Sequence, residues 1–346
     1  MRESVRLYAS TYDGVSVLRP SGREWAQVGT LPGVESESIA GARRHPERVY
    51  VADLNGGGVY GTEDAGQSWN KLLDGMVWAV AVDPSDDDVI YAGTAPVHLY
   101  RSEDRGKSWE DLTGLQDFPE EVRLKWRYPP PPHLAHVYHI FIQPDDPRAI
   151  YLCLEHGGIV RSFDRGATWE DVSQGIDYPD IHCFGSLPGN PTRYYASAAR
   201  GFFTTDDPAT GWTRAENGCT RDYFHSFIFL APERAGDAPT MLLAAADKSP
   251  GSWDRPEEAR GAIFRSVDCA ASWHWVGEGL PQEMRPAVNM LVNHPTERDG
   301  AFAGIGVWRR GVDPVGTIMA THDRGDSWQE VPAKLPPVIG LWAAPD

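Results

Sequence analysis

Residues 102–109 read Ser-Glu-Asp-Arg-Gly-Lys-Ser-Trp, an octapeptide of the form Ser/Thr-x-Asp-x-Gly-x-Ser/Thr-Trp from which the rest of the chain can be read. The same pattern stands intact at Thr62–Trp69, Ser162–Trp169 and Thr321–Trp328. Three worn copies complete the series. Ser266–Trp273 has Ala270 in place of glycine, Thr205–Trp212 carries Ala209 and Gly211, and Leu18–Trp25 keeps only Gly22 and the tryptophan. Seven boxes, ending at Trp25, Trp69, Trp109, Trp169, Trp212, Trp273 and Trp328, thus divide the chain, and such self-similarity marks a repeat architecture.

A second repeat gives the same number. An apolar strand runs into a proline turn and out into another strand near His45, Asp83, Gln143, Leu187, Ala231 and Asn293, and Ala344-Pro345 supplies the seventh turn. Each unit reads as four short antiparallel strands: an inner one ending at the proline turn, a second such as Val89–Thr94, a third such as His98–Ser102, and an outer one beginning at the box tryptophan. Short alternating strands of this kind suit blades packed face to face about an axis. The chain opens on a second strand, Arg6–Ser10, and closes on an inner one, Val338–Ala344, so both termini share a blade and no edge is left free. The expected fold is all-β: residues 1–346 as a single seven-bladed β-propeller of four-stranded blades, closed by the C-terminal inner strand.

In these motifs the chain resembles the Asp-box, or BNR, repeat shared by bacterial sialidases, sortilin-type receptors, some glycoside hydrolases and a photosystem assembly factor. The resemblance covers essentially the whole chain and implies the propeller fold. Physically, the box carboxylate accepts N–H groups of its own turn, the glycine takes a conformation other residues resist, and the tryptophan packs between blades. Repeated carboxylates at an outer rim meet no common substrate, so the box is structural. Sialidase activity does not follow from the resemblance. That family needs an arginine triad with an Arg-Ile-Pro element, whereas Arg19-Pro20 here lies inside a worn box.

Composition narrows the function classes. With 13 Trp and 41% hydrophobic residues the chain can fill a large β core, and 35 Gly with 28 Pro supply its turns. A formal net charge of -17 argues against a nucleic-acid or anionic-membrane partner, since phosphates would be repelled over most approaches. The sequence shows no signal-like opening and no apolar run of the ~18 residues a membrane helix needs, so the reading is cytoplasmic. Cys153, Cys183, Cys219 and Cys269 show no CxxC pairing and read as buried free thiols.

Propeller topology places the loops entering inner strands and those joining second to third strands at one end. Three long inserts fall there, at residues 115–137, 248–261 and 308–316. Long loops in a compact fold tend to carry function. His139, His182 and His225 lie at the mouths of three successive inner strands, spaced by 43 residues, and read as a facial metal set. Such a set suits a divalent transition metal, Zn, Mn or Fe, with open positions for substrate. Carotenoid-cleaving oxygenases and an oligogalacturonate lyase are similar in hanging a metal from propeller histidines. The alternative is that these histidines line a channel, bonded to water and backbone, because their offsets from the proline turns differ by one residue each.

His156 and Glu155, on the facing loop of the His139 blade, and Asp247 are the candidate catalytic groups. Trp78, Arg200, Lys248, Asn289, Trp308, Arg309 and Arg127 are candidate substrate contacts through stacking or anion pairing. His98, His133 and His136 read as surface loop residues. The leading expectation is a metal-dependent hydrolase, lyase or oxygenase acting on a small polar or carbohydrate-like substrate. The alternatives are a scaffold that binds a protein partner, and a metal-free glycoside hydrolase using two carboxylates among Glu155, Asp222 and Asp247.

Overall fold

The structure is a computed structural model describing residues 5–234, 236–250, 259–280, 284–306 and 316–346. Among these residues the strands form seven four-stranded antiparallel sheets, the blades of the expected all-β propeller. Helix is confined to single turns such as Glu120–Arg123. No helix among the described residues is long and apolar enough to cross a membrane.

The chain divides into two compact units. One, Ser36–Ala198 with Phe203–Thr213, holds blades 2 to 4 and most of blade 5, whose first strands are Ile39–Gly41, Val77–Asp83, Val137–Ile142 and Ile181–Leu187. Its interior is built from strand residues such as Tyr91, Leu152, Val160, Tyr151 and Phe184, all nearly solvent-free. The other unit, Met1–Glu35, Ala199–Phe202 and Arg214–Asp346, holds blades 6 and 7, with first strands Tyr223–Leu230 and Ala287–Asn293, together with blade 1. In blade 1 the C-terminal strand Gly340–Pro345 pairs with Val5–Thr11, as the sequence requires.

The intact boxes share one set of hydrogen bonds. In Ser102–Trp109, Asp104 accepts the Ser108 N–H at 2.8 Å and the Ser108 hydroxyl at 2.6 Å, while the Ser102 hydroxyl accepts the Gly106 N–H at 2.7 Å. These bonds hold the Asp104 carboxyl down at about 2. The Trp109 indole N–H donates to Leu72 O of the preceding blade at 3.0 Å, so the box also fastens neighbouring sheets. The worn copy at Ser266 makes the same bonds, with Ala270 tolerating a φ of 66° where glycine normally sits. At Thr205 the box becomes a 3-10 turn, Pro208–Thr210, capped by Asp207, yet Trp212 still reaches back to Val172 O at 2.8 Å.

A second repeated feature is absent from the sequence pattern. The first strands of blades 3, 4, 5 and 7 each carry a β-bulge, at Trp78, Tyr138, His182 and Asn289, and that of blade 6 bulges at His225-Ser226. A bulge leaves one residue unpaired and re-aims it. Next to the bulge a second position bonds the adjacent blade: His139 Nδ1 accepts the Phe184 N–H at 3.3 Å, and Ser226 Oγ accepts the Leu291 N–H at 3.1 Å. Ser38 makes the equivalent bond to the Val80 N–H at 3.0 Å.

Candidate functional site

The bulges correct the proposed histidine set. His182 and His225 occupy the unpaired bulge position, but its counterpart in blade 4 is Tyr138, and His139 stands one residue later. There burial pushes His139 down to about 4, and its Nδ1 is spent on the backbone of the next strand. His225, in the other unit, turns Nδ1 onto Asn289 O. Equal spacing in sequence misled because His139 stands one residue past the bulge position that His182 takes in the next blade.

What the fold assembles instead is a cluster in the first unit, around Glu155, His156 and Asp180. Their ligand-capable atoms lie within 4.8 Å of one another, and among the described residues no such group includes His139, His182 or His225. Glu155 and His156 sit on the tight turn between Leu154 and Gly158, where the Gly157 N–H donates to Leu154 O at 3.0 Å and His156 takes a left-handed φ of 57°. Asp180 closes the loop into blade 5, anchored beside Pro179, whose carbonyl accepts the Gly158 N–H at 2.9 Å. His156 Nε2 is 3.4 Å from Asp180 Oδ2, and His182 Nε2 is 3.6 Å from Asp180 Oδ1. Asp180 Oδ1 is fully buried and accepts no hydrogen bond among the described residues.

His136, expected on the surface, is 1% exposed and meets Glu155 through Nε2. Its ring stacks on Trp78 at a centroid distance of 3.6 Å, which makes Trp78 a wall of the cluster. Tyr128, brought in by the 115–137 insert, packs against His136 at 5.3 Å and His156 at 5.9 Å, with Tyr178 on the other side of His156 at 5.6 Å. The Tyr138 hydroxyl donates to Glu37 at 2.7 Å and its ring lies beside His182. The insert therefore supplies one aromatic wall of the cluster.

Burial shifts the protons of three groups in the cluster. Burial, reinforced by the charge of Asp180, lifts the Glu155 carboxyl to about 8, and burial drives His136 down to about 4. Burial also lowers His156, against the opposing pull of Asp180. The His136–Glu155 contact at neutral pH is thus between an uncharged imidazole and an uncharged carboxyl, and Glu155 carries a proton it can give.

Other candidates have different places. Asp247, nominated beside Glu155 and His156, belongs to the second unit and is bound by Arg260 at 2.8 Å and Arg221 at 3.5 Å; the carboxylate beside Glu155 is Asp180. Asn289 is buried and donates to Val338 O at 2.6 Å, a structural tie rather than a substrate contact. Arg200 and Lys248 line a separate cleft of the second unit. Arg127 is exposed on the insert. Trp308 and Arg309 lie outside the described residues. Cys153 is buried, while Cys183, Cys219 and Cys269 are partly exposed, and all four are free thiols. His136 and Asp180 were missed: each stands two residues before the bulge residue of its strand, as Met76 does before Trp78, and the bulges leave no mark in the sequence.

Comparison with known proteins places these features. Residues 99–112 match the BNR-Asp box repeat family, in agreement with the repeat reading. The chain is similar to a xyloglucanase of Paenibacillus sp., 28% identical over 308 residues, covering 83% of this chain and 24% of that protein. An oligoxyloglucan-reducing end-specific xyloglucanase of Emericella nidulans is 23% identical over 208 residues, covering 58% and 24%. The chain spans about a quarter of the length of these curated relatives. Among solved structures, the GH74 xyloglucanase of Xanthomonas campestris superposes with a TM-score of 0.65 at 17% identity, over 93% of this chain and 52% of that one. YCF48 bound to D1 peptide gives 0.53 at 16% identity, over 85% and 80%. These structural likenesses show the propeller fold.

Proposed function

We propose that the chain acts on carbohydrate and hydrolyses a glycosidic bond at the Glu155–Asp180 cluster. The observation that carries this reading is the approach of two carboxyls, Glu155 and Asp180, whose oxygens lie within 4.8 Å under an aromatic wall, and burial that lifts Glu155 to about 8 suits it to the role of acid. Retaining glycosidases hold their two carboxyl groups about 5–5.5 Å apart, and the acid member has its pKa raised by burial. In this arrangement Glu155 gives its proton to the departing sugar oxygen while Asp180 faces the developing positive charge at the anomeric carbon. Water then completes hydrolysis with Glu155 taking the proton back. Tyr128 and Tyr178 offer faces on which a sugar ring can stack. The xyloglucanase relatives support a glucan or xyloglucan oligosaccharide as substrate.

A divalent cation held by Glu155, His156 and Asp180 is the second reading, favoured by the convergence of their ligand-capable atoms within 4.8 Å of one another. Zn, Mn or Fe would suit this mixed imidazole and carboxylate set and would supply an activated water. One experiment separates the two: hydrolysis of xyloglucan and β-glucan oligosaccharides before and after chelation. Activity that survives chelation and falls at least about 100-fold in Glu155→Gln supports proton donation. Loss on chelation, with recovery on adding one cation, supports the metal. No hydrolysis of any of these glycans by the wild type overturns the carbohydrate reading.

A further inference from the structure

The second unit carries a cleft unrelated to the Glu155 cluster. It has a volume of about 460 Å³ and is lined by Arg200, Arg214, Glu216, Cys219, Arg221, Asp222 and Lys248, with small residues between. Four cationic side chains line it against two carboxylates, with Asp247 behind Arg221 at 3.5 Å, so the lining is cationic in a chain whose net charge is -17.

The two carboxylates are already committed. Glu216 takes Arg214 on Oε1 at 2.9 Å and the Phe202 N–H on Oε2 at 3.2 Å. Asp222 accepts the Lys248 N–H at 2.6 Å, which holds Lys248 in a left-handed conformation with φ 58°. A non-glycine residue in this region is held there by its surroundings, and such strain gathers at ligand sites. The Lys248 ammonium forms no ion pair among the described residues. Arg221 is fixed before any ligand arrives: its Nε donates to Arg260 O at 2.7 Å and its Nη1 to Thr220 O at 3.1 Å. Preorganised cations of this kind lose little freedom on binding. Burial keeps the Cys219 thiol up at about 12, so it lines the cleft as a neutral group and not as a nucleophile.

We propose that this cleft is an oxyanion-binding site, taking the carboxylate or phosphate group of a small ligand between Lys248 and Arg221, with Arg200 at its rim. The contacts are charge-assisted hydrogen bonds, which favour a planar carboxylate or a phosphate over a neutral hydroxyl. The site is independent of the hydrolytic reading, and its test reads binding alone.

Calorimetric titration of the full chain with inorganic phosphate, galacturonate and galactose tests it. Phosphate or galacturonate should bind the wild type, galactose should not, and affinity should fall when salt is raised from about 50 to about 500 mM. Binding of phosphate alone identifies a phosphate site, binding of galacturonate alone a carboxylate site, and binding of both a general oxyanion site. Lys248→Met, at an exposed side chain and keeping the backbone N–H that bonds Asp222, should weaken binding at least about tenfold while the melting temperature stays that of the wild type. Retention of that affinity in Lys248→Met, or failure of both anions to bind the wild type, overturns the proposal.

Discussion

Replacing Glu155 with glutamine should abolish one specific part of the protein's pH dependence. Burial and the Asp180 charge lift this carboxyl from 4.5 to about 8, so between those values the folded chain holds a proton that the unfolded chain has released. A group raised in this way contributes stability that is complete below pH 4.5 and is lost as pH rises through about 8. His136 and His139 have the opposite sign: burial lowers each from 6.5 to about 4, so their effect is to raise stability with pH over that interval and to end at 6.5. Above 6.5 Glu155 therefore acts without opposition from these histidines. At about 1.4 kcal/mol per pH unit, the wild type should lose about 2 kcal/mol between pH 6.5 and 8. Glutamine has no proton to lose, and Glu155→Gln should be flat over the same range. Urea unfolding followed by tryptophan fluorescence at the two pH values measures both. An equal loss in wild type and Glu155→Gln would refute the claim that the buried cluster holds Glu155 protonated, and with it the proton-donor role.

Two further predictions concern the frame. Asp323→Ala removes acceptors for the Thr321 hydroxyl at 2.7 Å and for the N–H and hydroxyl of Ser327, and should cost about 1–3 kcal/mol without altering hydrolysis, as urea midpoints and glycan assays on one preparation will show. Gly58→Ala places a Cβ 1.7 Å from Leu73 O at a φ of 94°, so the variant should melt well below the wild type; an unchanged melting temperature would show that the strand pair can shift to admit the methyl group.

How much could be read from the chain depended on whether a feature is local. The box at Ser102–Trp109 closes its own bonds within eight residues, so its pattern survives in the sequence and announces blade number, strand order and the shared terminal blade. Even the Ser266 copy, which lacks the glycine, could be recognised because its aspartate and serines remain. Glu155 and His156 could be nominated as polar residues on the turn joining second and third strands, and the fold sets them beside Asp180.

The register of the first strands was not. Whether His139 or Tyr138 takes the bulge is settled by pairing with Cys153 and Leu154 and by the bond from His139 to Phe184 of the next blade, contacts made across distant segments. One residue of slip sends a side chain to a different face. That slip removed His139 from the metal set proposed from spacing. The same tertiary packing buried His136 beneath Trp78 and set Asp180 beside Glu155, giving His136 and Glu155 the low-dielectric surroundings that shift their protons. The sequence by itself determined a seven-bladed Asp-box propeller, because hydrogen bonds within each turn specify it. Only the tertiary structure decided which histidines and carboxylates meet, because that depends on bulges and burial arising between blades.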